Sequence, residues 1–141
     1  MPSFGDASQA KLITCHRDIV RVCTEVIKRV DFSVIEGARS DERQLKLFKQ
    51  GRSTLDGIND FSKHQLVGSQ THSNAVDLLP YPAVVNGINI WKDEFRFAVF
   101  AGEVIGIGWS LGIDIRWGGD WDGDGSREDQ SFHDLPHFEL G

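Results

Sequence analysis

The sequence lacks any apolar segment that approaches the roughly 20 residues needed to span a bilayer. Its first residues, Met1-Pro2-Ser3-Phe4-Gly5-Asp6, lack the basic start and the apolar core of a signal peptide. We therefore expect a protein that is made in the cytoplasm and forms no stable association with membranes. The formal net charge of −6 disfavours nucleic acids and anionic lipid surfaces as partners.

Cysteine is scarce, with only Cys15 and Cys23 present. The apolar pattern places both on one helix, where eight residues span about 12 Å, beyond the Cα separation of about 7 Å that a disulfide allows. We therefore expect free, buried thiols in a reducing compartment. His16 follows Cys15, but adjacent residues on a helix do not face each other, which disfavours a Cys–His nucleophile. A serine hydrolase is also disfavoured, because no Gly-x-Ser-x-Gly elbow occurs.

Apolar residues at helical spacing predict three helices. The first is capped by Asp6 or Ser8, continues to about Val30 and packs one face on the core. Ser40 is a typical N-cap for the second. The third covers 93–110, and its glycines suggest close packing against a sheet. The side expected to face that sheet carries Phe95, Ala98, Val99, Gly102, Ile105 and Gly106.

Short β-like segments accompany these helices without a strand–helix–strand rhythm. They cover 32–35, 74–79, 113–117 and 138–140. The segment 51–71 is polar and irregular, and a loop of this length inside a compact domain is usually functional. With no internal repeat, low-complexity tract or linker, residues 1–141 are expected to form one compact α+β domain, a small antiparallel sheet with helices packed on it.

Three residues suited to metal binding follow one another in order. His64 lies in the long loop, Asp77 at the end of the next strand and His137 at the start of the last one. Catalytic zinc takes three such ligands and keeps a position for water, whose pKa it lowers towards about 7. Asp134, on the turn before His137, is placed to act as a general base. The set indicates a zinc hydrolase, although spacing alone leaves other histidines open as ligands: His16, His72 and His133.

The motifs around these residues resemble a known superfamily. Ser62-Lys63-His64, Ala75-Val76-Asp77 and Asp134-Leu135-Pro136-His137 are similar to the signatures of the D-Ala-D-Ala peptidases, zinc enzymes that share their fold with hedgehog domains. The closest likeness is to the small phage endolysins that are L-alanyl-D-glutamate peptidases. These also have an early helix followed by Gly-x-Arg-Ser/Thr, here Gly37-Ala38-Arg39-Ser40. The resemblance extends from about Ser8 to Leu140.

The resemblance implies that His64, Asp77 and His137 hold zinc and that Asp134 is the catalytic base. One departure concerns spacing, because His64 stands thirteen residues before Asp77, about six more than in the family's pattern. The extra residues are 65–70 or thereabouts. His72, which is nearer to Asp77, therefore competes as the first ligand, and we favour His64 for its Ser-x-His context.

Two further residues gain a role from the resemblance. Arg39 matches the arginine that contacts the substrate or the developing oxyanion, a task that suits a permanently charged guanidinium with a fixed fork of donors. Ser62 belongs to the Ser-x-His motif and is expected to contact substrate. On sequence grounds alone, Arg39 could instead form a surface ion pair with Asp41 or Glu42.

The function implied is that of a zinc metallopeptidase that hydrolyses the peptidoglycan stem peptide at the L-Ala–D-Glu bond. As a phage or prophage lysis enzyme, it would remain in the host cytoplasm until a holin opens the inner membrane and would then reach the periplasm and the cell wall. We expect a monomer without a separate wall-binding domain. Two alternatives stay open: a D-Ala-D-Ala carboxypeptidase or dipeptidase of the same fold, and a noncatalytic calcium- or wall-binding module.

A second metal site is suggested by the acidic segment 120–126. It matches the first half of an EF-hand loop, with oxygen-bearing side chains at positions 1, 3 and 5 and glycine at position 6. Position 12 is Ser131 instead of the usual glutamate, and a solvated acidic turn is the alternative. Some phage endolysins of this kind have an acidic loop that binds calcium and controls activity, so the resemblance supports Ca²⁺ as a regulator. The candidate ligands are Asp120, Asp122, Asp124 and Ser126.

Overall fold

The computed structural model describes residues 2–120 and 134–141. Its helices are α1 (Asp6–Leu12), α2 (Arg17–Val26), α3 (Asp41–Lys49) and α4 (Glu94–Ser110), and a 3₁₀ helix covers Ile90–Lys92. Its strands are β1 (Phe32–Glu36), β2 (Ala75–Pro80), β3 (Val84–Val85), β4 (Ile88–Asn89), β5 (Ile115–Trp117) and β6 (His137–Leu140). No helix in these ranges is long and apolar enough to cross a membrane.

Four strands form an antiparallel sheet in the order β1-β2-β6-β5, as the α+β prediction requires. The register aligns Glu36 with Asp77 and Asp77 with His137, so these three residues form a row across β1, β2 and β6. Asp77 is the third residue of β2, not its end. Helices α2 and α4 pack together, and α4 also contacts the sheet. The central strands β2 and β6 therefore hold the side chains of Asp77 and His137 in fixed positions.

The prediction of one long first helix is wrong, because the chain leaves helical geometry between α1 and α2. Thr14 and His16 bond the backbone of Ser73 at 2.9 and 2.8 Å, and Cys15 forms a β-bridge with the same residue. His16 then caps α2 by accepting from the backbone N–H of Asp18. Tertiary pairing to Ser73 thus replaces the helical hydrogen bonds that the apolar pattern predicts.

Both cysteines are buried and free, as expected. Burial raises the pKa of the Cys15 thiol to about 12, and burial also raises the pKa of Cys23 above its ordinary value. A thiol that stays protonated is a poor nucleophile. The structure therefore gives Cys15 and Cys23 the character of small core residues.

The prediction of which side of α4 faces the sheet is wrong. The predicted side is exposed to solvent, with Phe95 76% exposed. The glycine in close contact is Gly108, against the Ile113 carbonyl and the Ile115 side chain. At Gly102 and Gly106, a methyl group would meet nothing within 4 Å among the described residues. Because α4 is apolar on both sides, periodicity alone cannot choose its buried face. The residues facing the core are Phe97, Phe100, Ala101, Val104 and Gly108.

The remaining predicted elements are confirmed within two residues. Two elements were not predicted, the 3₁₀ helix at Ile90–Lys92 and the β3–β4 hairpin. The turn of the hairpin is Asn86-Gly87, with φ values of 51° and 78°. Asn-Gly is the preferred pair for a two-residue turn with positive φ, so the sequence did contain the signal for this hairpin.

Candidate active site and metal centre

Three buried side chains, His64, Asp77 and His137, converge where the long loop crosses the sheet. His64 Nε2 lies 3.1 Å from Asp77 Oδ1 and 3.2 Å from His137 Nδ1. The third separation, between His137 Nδ1 and Asp77 Oδ1, is 3.5 Å. Tetrahedral zinc with bonds of about 2.0–2.1 Å holds its ligand atoms about 3.3 Å apart. The three atoms are therefore spaced as zinc ligands are.

Hydrogen bonds on the outer side of each imidazole set which nitrogen faces the cluster. Nδ1 of His64 lies 2.8 Å from the carbonyl oxygen of Gly37, and Nε2 of His137 lies 2.8 Å from Oε1 of Glu139. A carbonyl or a carboxylate can only accept, so the outer nitrogen of each ring carries the proton. In neutral imidazoles, Nε2 of His64 and Nδ1 of His137 then present lone pairs to each other and to Asp77.

Three electron-pair donors that meet in this way fit a cation. The directions of the pKa shifts of His137 and Asp77 likewise show that this group favours positive charge on His137 and negative charge on Asp77. Burial lowers the pKa of His137, but hydrogen bonds to Asp77 and Glu139 outweigh that effect and raise it to about 9. Burial of Asp77 disfavours its charge, yet His137 and His64 donate hydrogen bonds to it when their facing nitrogens are protonated, and these bonds hold its pKa below the usual range. Two imidazoles and one carboxylate are a donor set that suits zinc.

Asp134 stands beside this cluster, with Oδ2 3.9 Å from His137 Nδ1 and a side chain that is 36% exposed. Its backbone N–H donates to the carbonyl of Gly118 at 2.9 Å. The turn is fixed at a second point, because Nε1 of Trp117 donates to the Leu135 carbonyl at 2.7 Å. Burial, and then the charge of Asp77, raise the pKa of Asp134. A carboxylate with a raised pKa at the edge of a cleft is suited to accept and return a proton.

Arg39 is nearly buried, and its partner is Glu36 rather than Asp41 or Glu42. Nε and Nη2 of Arg39 donate to the two carboxylate oxygens of Glu36 at 2.9 and 2.8 Å. Nη2 also lies 3.8 Å from Oδ2 of Asp77. This fork-to-fork pair fixes the plane of the guanidinium next to the cluster.

Gln44 completes the support of Arg39 and was not predicted from the sequence. Its Oε1 accepts from Nη1 of Arg39 at 2.7 Å, and its Nε2 donates to Ser53 Oγ and to the Leu55 carbonyl at 2.9 and 2.7 Å. The side chain is fully buried. It therefore joins α3, the long loop and Arg39 in one network, which no local sequence pattern could indicate.

The loop before β2 places the remaining predicted residues. Ser62 is buried at the cleft, where its Oγ accepts from the His64 backbone at 3.2 Å. Gln65 is not a surface insertion: it is buried, accepts from the Ser62 backbone and donates to Asp41 at 2.9 Å. His72 is exposed and bonds Thr71. Of the two competing histidines, the structure brings only His64 to the cluster.

The cluster opens into a cleft of about 760 Å³, within the usual range for ligand sites. The zinc-type cluster and Asp134 lie on one side of it. Three further cationic side chains line it: Arg43, Arg52 and Lys63. A cleft with this lining suits an extended substrate that carries carboxylates.

Of the predicted calcium ligands, Asp120 is described and the other three, Asp122, Asp124 and Ser126, lie outside the described residues. His133, an alternative zinc ligand, also lies outside them. Asp120 follows β5 in a turn, where its N–H donates to the Trp117 carbonyl at 3.0 Å. The bond between Gly118 and Asp134 joins the two flanks of this segment.

Comparison with known proteins gives consistent matches along the chain. The family model for phage L-alanyl-D-glutamate peptidase matches residues 2–141. The L-alanyl-D-glutamate peptidase of Escherichia phage T5 is 28% identical over 97% of this chain and 96% of its own length. The peptidoglycan L-alanyl-D-glutamate endopeptidase CwlK of Bacillus subtilis is 28% identical over 80% of this chain and 62% of its own length. The crystal structure of Serratia marcescens L-Ala D-Glu endopeptidase ChiX matches with a TM-score of 0.71 and 31% identity, covering 98% of this chain and 89% of ChiX.

Proposed function

The chain belongs to the phage L-alanyl-D-glutamate peptidase family, and from that premise we propose that it is a zinc peptidase that hydrolyses the L-Ala–D-Glu bond of peptidoglycan. The observation that carries the chemistry is the convergence of His64, Asp77 and His137 beside Asp134 in one cleft. The printed activities of the phage T5, Bacillus subtilis and Serratia marcescens proteins support the choice of bond.

His64, Asp77 and His137 are the proposed zinc ligands, through Nε2, Oδ1 and Nδ1. When bound, zinc supplies a Lewis acid that polarises a carbonyl and lowers the pKa of water. The protein's part is to keep these three side chains rigid. Adjacent strands hold Asp77 and His137 in register, and the bond from the Arg39 backbone N–H to the His64 carbonyl, 2.8 Å long, ties the loop to the Gly37–Ser40 segment.

Asp134 is the proposed general base and acid. It accepts a proton as a water molecule adds to the carbonyl carbon of L-Ala, and it returns that proton to the amino group of D-Glu as the C–N bond breaks. Burial of the Asp134 carboxyl raises its pKa, and a raised pKa favours a group that both accepts and returns a proton.

Arg39 is proposed to place a permanent positive charge where the scissile carbonyl oxygen becomes negative, or where a substrate carboxylate binds. Glu36 and Gln44 fix its orientation, so little reorganisation is needed during the reaction. Ser62 Oγ accepts a hydrogen bond from the backbone N–H of His64, and Ser62 lines the cleft wall. The cationic side chains of Arg43, Arg52 and Lys63 complement the carboxylates of the stem peptide.

In the cell, this activity corresponds to a phage lysis enzyme, and we propose that a holin gives it access to the wall. Calcium is the proposed regulator, bound by the segment that starts at Asp120. Because Gly118 and Asp134 are bonded, a cation bound by the segment that joins them would steady Asp134. Equal activity of the zinc-loaded enzyme in excess calcium and in a calcium-selective chelator would contradict this regulation.

Metal dependence tests the site directly. Protein stripped with a chelator is expected to lose hydrolysis of purified peptidoglycan and to regain it when zinc is restored. The matched pair is His64→Ala and His72→Ala. The first is expected to lose bound zinc and activity, whereas the second keeps both because His72 lies on the exposed loop. Full activity of His64→Ala would refute the proposed centre.

A further inference from the structure

Glu139 contacts a proposed zinc ligand from the side opposite the cluster. It follows His137 by two residues on β6, so both side chains point to the same side of the sheet. Oε1 of Glu139 lies 2.8 Å from Nε2 of His137, and the Glu139 residue is only 8% exposed. A buried carboxylate thus contacts the ring nitrogen that faces away from Asp77.

We propose that Glu139 is a positioning residue that holds His137 in the ring orientation and tautomer needed to bind metal. A carboxylate accepts and cannot donate, so it keeps the ring proton on Nε2 and leaves the lone pair of Nδ1 free. Rotating the ring by half a turn would exchange Nδ1 with Cδ2, so that a C–H group would face His64 and Asp77. The contact with Glu139 opposes that rotation.

The two proposed histidine ligands are held by different kinds of acceptor. His64 is fixed by a neutral backbone carbonyl, that of Gly37, whereas His137 is fixed by a charged carboxylate. A carboxylate behind a ligating histidine both orients the ring and increases its basicity, and loss of such a partner typically costs 10–100-fold in metal affinity. Loss of Glu139 is therefore expected to weaken metal binding, although its carboxylate lies on the far side of the His137 ring.

An ordinary structural role for Glu139 is the alternative. Arg116 faces it in the antiparallel register of β5 and β6, so the two could simply form a cross-strand ion pair. That role predicts a loss of folding stability without any effect on the His137 ring. Glu103 on α4 offers a matched control, because its carboxylate forms an ion pair with Arg29 at 2.9 Å.

The experiment compares three variants with the wild-type protein: Glu139→Ala, Glu139→Gln and Glu103→Ala. Zinc affinity is measured by competition with a chromophoric chelator, and folding is checked by thermal unfolding. We expect Glu139→Ala to bind zinc about 10–100-fold more weakly. Glu139→Gln should recover most of that loss, because its amide oxygen can accept from Nε2. Glu103→Ala should bind zinc as the wild-type protein does.

A second readout is the ¹⁵N NMR spectrum of the histidine rings in metal-free wild-type protein at a pH where His137 is neutral. It is expected to show the His137 proton on Nε2 and an unprotonated Nδ1. Because it uses the wild-type protein, this measurement does not depend on whether Glu139→Ala folds. A proton on Nδ1, or unchanged zinc affinity in folded Glu139→Ala, overturns the proposal. Because this role rests on the metal site of the proposed function, wild-type protein that binds no zinc would overturn both, whereas normal zinc binding by Glu139→Ala overturns the positioning role alone.

Discussion

The carbonyl oxygen of Gly37 lies 2.8 Å from Nδ1 of His64, so a backbone group far from the histidine in sequence sets its tautomer. Gly37 occupies this position because a larger residue does not fit. A methyl group there would overlap Thr14 Oγ1 and the Lys11 carbonyl. This contact explains the glycine of the Gly-x-Arg-Ser motif. Without a side chain, Gly37 can approach the end of α1 closely enough to present its own carbonyl to His64.

Gly37→Ala is expected to weaken both folding and zinc binding. Overpacking at a tight site costs about 1–3 kcal/mol, and any shift of the Gly37 carbonyl loosens the His64 ring. Chemical denaturation and zinc titration of the same samples check the two effects. The control is Gly102→Ala, which faces open space on α4 and should stabilise by about 0.5–1 kcal/mol because alanine favours helix. A Gly37→Ala protein as stable as wild type would contradict the role given to this contact.

Gly118→Ala is expected to impair catalysis more than metal binding. A methyl group at this position would overlap the backbone carbonyl of Asp134, while His64 and Asp77 lie on other segments. The Gly118 N–H donates to the His137 carbonyl at 2.8 Å, a backbone bond that alanine can also make. The prediction is a fall in kcat with zinc stoichiometry close to wild type. Parallel turnover assays and metal analysis measure the two quantities. Equal losses of metal and activity would show that Gly118 supports the whole site and not Asp134 alone.

The Glu36–Arg39 pair predicts a specific dependence of stability on pH. Burial favours protonation of Glu36, but hydrogen bonds from Arg39 and Arg43 outweigh it and lower its pKa below the ordinary value of 4.5. A carboxyl with a lowered folded-state pKa stabilises the fold above its unfolded-state pKa and loses that contribution as the pH falls through the folded-state value.

Glu36→Gln should therefore cost most at neutral pH. Weakening a partly buried, hydrogen-bonded pair costs about 1–3 kcal/mol, and the deficit should shrink as the pH falls below the unfolded-state pKa. Free energies of unfolding for both proteins, measured from neutral to acidic pH, test the sign. A deficit that grows as the pH falls would be contrary to the geometry of this pair.

The sequence alone indicated the fold class, whereas the residues of the cluster came from the motifs that resemble a known family, since spacing alone left other histidines open. Binary patterns marked β1, α3 and β2 within a residue, and the motifs around His64, Asp77 and His137 each keep their own context. Glu139 also left a trace that was missed, since alternation along a strand places it on the same side as His137.

Other features depend on contacts between distant segments and could not be read locally. The break between α1 and α2 follows from bonds to Ser73, which lies far along the chain. Gln44 acts through Arg39 and Leu55 at once, and its neighbours in sequence give no sign of this. The buried face of α4 was wrongly predicted because both faces are apolar, and the choice is made by the sheet on which it packs.

The most direct test of the central claim is mass spectrometry of peptidoglycan digested by zinc-loaded protein, with Asp134→Asn as the control. Asp134→Asn keeps the size of the side chain but cannot accept the proton, so it should retain zinc and lose about 10²–10⁴-fold in turnover. The account predicts new stem peptides that begin with D-Glu in the wild-type digest and their near absence in the control. Release of terminal D-Ala instead, or equal digestion by both proteins, would contradict it.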